Sequence, residues 1–253
     1  METTKMKRLL LLTLLLFGCD RVPDGIKSQF ASEHLTPQTA DVICDFGGGS
    51  SGCTNDSLSA LLREIAPVLP AGSIVRLHGM ADAVADGKQL SEFRITAPKK
   101  RTLKAVAGHR RRQTESLVHQ LQAAAQPLFG RDDRRRSPIA ETIARALLAG
   151  SPDRAERHLY LLTDAREVSD NASLGKLDFE CGPILEARDF AQRLCKLFPP
   201  DALRGVTVHF VHVQLEPVAN HRCAATVERY TQLKNTWTGA LQANGATVTW
   251  SMN

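Results

Sequence analysis

The chain of 253 residues is short of aromatics, with Trp 2, Tyr 2 and Phe 9. Its arginine clusters carry no aromatic side chains between the charges, so the stacking surface of a nucleic-acid binder is missing and no nucleic-acid partner is expected. No cysteine spacing matches a zinc-ligand pattern. A Gly-x-Ser-x-Gly nucleophile elbow is also absent, and Gly48-Gly49-Ser50-Ser51-Gly52 is only loosely similar to one, which leaves a Ser/His/Asp hydrolase unsupported. There is no internal repeat and no sign of a second folded domain. The apolar run Leu9 to Phe17 is too short to cross a bilayer comfortably as a helix.

That run is informative in another way. Lys5, Lys7 and Arg8 precede it, so residues 1–18 read as an export signal, whether translation starts at Met1 or Met6. The sequence Leu16-Phe17-Gly18-Cys19 resembles a bacterial lipobox, in which Cys19 becomes the lipid-modified first residue, although Phe17 stands where a small residue is usual. The alternative is an ordinary cleaved signal followed by a coincidental cysteine. Asp20 resembles an inner-membrane retention signal. The expected location is therefore the bacterial cell envelope, lipid-anchored and facing the periplasm. Residues 19–40 are polar, hold Pro23 and Pro37 and show no sustained period, so they read as a tether. The formal charge of +5 falls to +3 once Lys5, Lys7, Arg8 and Glu2 leave with the signal. Such mild basicity identifies no partner, and Arg110-Arg111-Arg112 and the Arg131–Arg136 cluster read first as solvated faces.

From residue 41 to 253 the chain reads as one α/β domain. Asp41-Val42-Ile43-Cys44-Asp45 is an apolar run that ends on a carboxylate and opens into the Gly/Ser-rich loop 46–52. This suits a strand buried on both faces of a parallel sheet, with its acid at the ligand-binding edge. Helical spacing of Leu58, Leu61, Leu62 and Ile65 follows, with Asn55 or Asp56 as N-cap. Strands are expected over 73–79, 92–96, 158–163, 206–213 and 246–250, and helices over 57–69, 103–125, 138–148, 184–197 and 224–243. Segment 165–182 reads as a loop. The run Leu159-Tyr160-Leu161-Leu162-Thr163 also ends on an acid, Asp164. The alternation argues for an α/β sheet.

The order of these pieces resembles the von Willebrand factor A-type domain. The strand ending in Asp45 carries the resemblance, together with Arg136-Ser137-Pro138-Ile139-Ala140-Glu141-Thr142, Leu161-Leu162-Thr163-Asp164, and the closing Asn235-Thr236-Trp237 with Gly245. It implies a single doubly wound, Rossmann-like, mostly parallel sheet with one antiparallel edge strand and helices on both faces. It also implies a metal-ion-dependent adhesion site, where hard oxygens hold Mg²⁺ and a partner's carboxylate completes the shell. Asp45, Ser137 and Asp164 match that site. Gly47 and Gly49 stand where the family has serines, and Ser50 and Ser51 replace those ligands only if the loop doubles back. The site is therefore either a working Mg²⁺ site or a degenerate one whose carboxylates are met by backbone N–H groups.

On this topology Cys181 and Cys223 follow neighbouring strands and form the first-choice disulfide, with Cys53 bonded to either one as the alternative. Asp45 also resembles the nucleophile of haloacid dehalogenase-type phosphohydrolases, but Gly47 stands where their second aspartate belongs. His209 and His212, three apart on a strand, face opposite sides and read as one core and one edge histidine rather than as ligands. The reading is a non-enzymatic protein-interaction module binding an envelope protein, as in a secretion or conjugation assembly. The alternative is a metal-dependent envelope hydrolase.

Overall fold

The structure, a computed structural model, describes residues 36–46, 52–80, 88–99, 102–129, 137–150, 155–213 and 226–252. Cys19, Asp20, Ser50, Ser51 and Cys223 lie outside the described residues. The elements in the first half are β1 (Gln38–Asp45), α1 (Asn55–Ile65), β2 (Ile74–Met80), β3 (Lys88–Arg94), α2 (Leu103–Ala125) and α3 (Ile139–Leu148). They are followed by β4 (Glu156–Leu162), β5 (Val168–Ser169), β6 (Leu177–Asp178), α4 (Ala187–Leu197), β7 (Val206–Val213), α5 (Val227–Ala243) and β8 (Thr247–Met252).

Six strands form one sheet in the order β3-β2-β1-β4-β7-β8. Only β3 pairs antiparallel, with β2, and the other neighbours are parallel. This is the expected doubly wound α/β fold. The strand order reverses between β1 and β4, which makes their carboxyl ends the switch point where such sheets take ligands.

β1 is buried on both faces, and its alternating side chains feed two cores. Ala40, Val42 and Cys44 face Leu58, Leu61, Leu62 and Ile65 of α1 and Leu117, Val118 and Leu121 of α2. Ile43 faces the opposite way, into a core shared with Ile139 and Ile143 of α3, Phe190 and Leu194 of α4, and Trp237 and Leu241 of α5. Among the described residues no helix is long and apolar enough to cross a membrane.

The sheet begins at Gln38 rather than Asp41, so its first residues come from the stretch read as tether. Thr54, rather than Asn55 or Asp56, caps α1. The Ser57 N–H donates to Thr54 Oγ1 at 3.0 Å and the Thr54 N–H to Ser57 Oγ at 2.8 Å, a capping box closed by two hydroxyls. Segment 165–182 holds the short ribbon β5–β6, whose two-residue strands carry no detectable period. Arg110 of the triple-arginine run donates to the Pro67 and Leu69 carbonyls just beyond α1, and so binds two helices together.

Candidate functional site

Asp45 closes β1 at the switch point with 1% of its surface exposed. One of its oxygens, Oδ2, accepts hydrogen bonds from two hydroxyls on two other segments. Thr163 Oγ1, directly after β4, donates at 3.0 Å, and Ser137 Oγ, two residues before α3, donates through a short contact. Ser137 is fixed by its own backbone, since its N–H reaches the Val168 carbonyl at 3.1 Å and its carbonyl accepts the Val168 N–H at 3.0 Å. The ribbon missed in the sequence is therefore what positions Ser137.

Asp164 lies next in the same cleft. Burial pushes its carboxyl up to about 7, the neighbouring charges of Asp45 and Glu180 push the same way, and the backbone N–H and charge of Arg166 oppose them. The Arg166 N–H donates to Asp164 Oδ1 at 3.0 Å, with Arg166 Nε 3.8 Å from Oδ2. Ala165 between them sits in the left-handed region at φ 65°, which costs a non-glycine residue about 1–2 kcal/mol. Two bonds hold it there: its N–H donates to Thr163 Oγ1 at 3.3 Å, and its carbonyl accepts Trp237 Nε1 at 2.9 Å. The reversal lets the Arg166 N–H reach back to the Asp164 carboxylate.

Two further features close the site. A disulfide joins Cys44 to Cys53, with Cα atoms 5.3 Å apart, across the base of the Gly/Ser loop. Gly52 comes so near β4 that an added Cβ would lie 2.5 Å from the Thr163 Cα. Behind Ser137, the fully buried Glu167 accepts the Ala140 N–H at 2.9 Å in the first turn of α3. Burial pushes this carboxyl up to about 8, with the Ala140 N–H opposing.

Of the expected site residues, Asp45, Ser137 and Asp164 come together, while Ser50 and Ser51 lie outside the described residues. Thr163, Arg166 and Glu167 were not singled out from the sequence. The expected alternative pairing of Cys53 with Cys181 or Cys223 is overturned. Cys44 alternates away from Asp45 onto the α1 side of the sheet, where the loop returns Cys53 to meet it. Cys181 is disulfide-bonded. Asp178, Glu180 and Cys181 gather beside the ribbon with ligand atoms within 4.8 Å, but a disulfide sulfur is no thiolate donor. His209, read as a core or edge residue, is half-buried against His158. Burial and the His158 ring push it down to about 4. The His212 side chain is not described.

No protein-family model matches the chain, and no curated protein matches it.

Proposed function

We propose that this protein is a membrane-tethered interaction module of the bacterial envelope, with a von Willebrand A-like domain that binds a protein partner at the β1/β4 switch point. The observation that carries the reading is the meeting of Asp45, Asp164, Ser137 and Thr163 from three separate segments. Buried carboxylates this close need a proton or a cation to offset their charge. The donors are all hard oxygens, the chemistry that Mg²⁺ takes, and the ion's remaining positions are filled by water or a partner's carboxylate. Asp45 and Asp164 would hold the ion with the two hydroxyls as neutral ligands. Arg166 Nη1 is buried without a hydrogen-bond partner among the described residues, and it supplies a positive group on the same side for an acidic partner.

Thermal unfolding with and without millimolar Mg²⁺ tests the site. The wild-type protein is expected to gain several degrees, and Asp45→Ala or Asp164→Ala to abolish the gain while still unfolding cooperatively. No gain in the wild-type protein would make the cleft a degenerate site whose charge is offset by protons alone.

A further inference from the structure

The large hydrophobic side chains left exposed among the described residues are Val68, Leu103, Leu148 and Val227. All but Val227 lie at the end of the sheet opposite the cleft. Val68 is in the turn between α1 and β2, Leu103 opens α2 and Leu148 closes α3, with exposures of 68%, 47% and 70%. β1 starts at this end, at Gln38, so the described chain also enters here.

α2 reaches furthest out. His109 Nε2 lies 2.9 Å from the Thr96 carbonyl, just past the end of β3, and Gln122 Nε2 donates to Asn55 Oδ1 at 2.9 Å at the start of α1. The helix therefore runs from this end toward the cleft, and Leu103, six residues before His109, stands about 9 Å farther out at 1.5 Å per residue. The first buried side chain of α2 is Leu117, so its opening turns lie off the core.

The charge on those turns has one sign. Between Glu92 and Glu115 the sequence holds no acid, but it holds Arg94, Lys99-Lys100-Arg101, Lys104 and Arg110-Arg111-Arg112. Arg110 is tied to the Pro67 and Leu69 carbonyls and Arg111 Nε is 3.7 Å from Glu115, while Lys99, Lys104 and Arg112 are exposed. α2 also has no acidic residue in its first turn, so the positive end of its dipole adds to these cations. Glu64, Glu156 and Asp201 at this end lie toward β4 and β7, which leaves the positive field centred on α2.

We propose that the α2 end of the domain docks on an anionic bilayer surface, with Leu103 entering the interface, Lys99 and Lys104 against headgroup phosphates beside it, and Val68 and Arg112 behind. Cations around exposed aliphatic side chains are the pattern of interfacial helices, where attraction to anionic lipid and burial of apolar area act together. A soluble polyanion would use the charges alone and leave Leu103 in water. Docking in this way turns the cleft away from the bilayer, and it depends neither on lipid at Cys19 nor on a metal at Asp45.

The test is co-sedimentation of the full chain, carrying Cys19→Ser so that no lipid is attached, with phosphatidylcholine vesicles that contain either no phosphatidylglycerol or about 30 mol % of it. Residues 1–18 are common to every variant, so the differences between variants report the face. Stronger partitioning onto the anionic vesicles is expected, weakening as salt is raised. Lys99→Gln with Lys104→Gln is expected to lower it about 10-fold or more, at about 5-fold for each cation removed from the surface. Leu103→Ser is expected to lower vesicle binding several-fold and to leave retention on heparin unchanged. Arg188→Gln removes one exposed charge at the start of α4, at the cleft end, and is expected to change nothing. No preference for anionic vesicles, or an equal loss in Arg188→Gln, would overturn the proposal. Vesicle binding unchanged in Leu103→Ser, with the lysine variant losing heparin and vesicles alike, would also overturn it and make the face a site for an acidic macromolecule.

Discussion

Glu167 places a fully buried carboxyl at the first turn of α3, where only one of its oxygens accepts an amide. Its other oxygen, Oε1, is buried with no amide donor among the described residues, and the Ser169 hydroxyl beside the carboxyl opposes the upward push of burial without overcoming it. With its folded value raised to about 8 and that of Asp164 to about 7, both groups bind protons more tightly folded than unfolded. Their contribution to stability is complete below the ordinary carboxylate range and is lost as pH rises through about 7 and then about 8. The urea midpoint is therefore expected to fall between about pH 5 and pH 8.5. Glu167→Gln keeps an oxygen for the Ala140 N–H and should flatten the upper part of that fall. Parallel profiles for variant and wild type would show that Glu167 is not the group involved. Asp45 and Asp164 were legible in the sequence because a strand that ends on an acid is a local pattern. Thr163 and Glu167 were not, because their roles are set by the reversal at Ala165 and by the first turn of α3, whose Ala140 lies 27 residues before Glu167 in the chain.

At the scale of elements, the amino-terminal half of β1 rests on an ion network that no motif announces. Asp41, with no exposed surface, is 2.9 Å from His78 Nε2 and 2.9 Å from Arg157 Nη2, with Arg76 Nη1 at 3.9 Å. The two arginines also cover carbonyls at the end of α3: Arg157 those of Ala146 and Leu147, and Arg76 that of Gly150 at 2.6 Å. β1, β2, β4 and α3 are thereby joined through one carboxylate, which also meets the negative end of the helix dipole. Asp41→Ala would leave the buried Arg157 guanidinium without its carboxylate, while Arg76 keeps Glu92 at 3.1 Å, and is expected to cost about 3–5 kcal/mol in chemical denaturation. A loss below about 1 kcal/mol would mean that water enters the site and solvates the arginines. The alternation of strands and helices was readable from hydrophobic period alone, and α2 and β7 have the bounds expected of them. The Cys44–Cys53 bond was not readable, because pairing a strand residue with a loop residue depends on where the Gly/Ser loop turns back.

At the scale of the whole molecule, the described chain enters the sheet at Gln38 and reaches the cleft at Asp45, both on β1. The strand's eight residues separate those points by roughly 25 Å. β1 is hydrogen-bonded in parallel on both sides, to β2 and to β4. A partner held at the cleft while residue 36 is held from the other end would load this strand along its axis. Both ladders would then be sheared together, with every hydrogen bond sharing the force, whereas pulling β8 sideways from its edge would open its ladder one bond at a time. The Cys44–Cys53 bond passes part of the load at the cleft into the segment leading to α1. Single-molecule stretching is expected to show a higher rupture force along β1 than for peeling from residue 252, and equal forces would contradict it. Under the proposed function, β1 is thus the line along which force would pass between the tethered end of the domain and the partner held at the cleft.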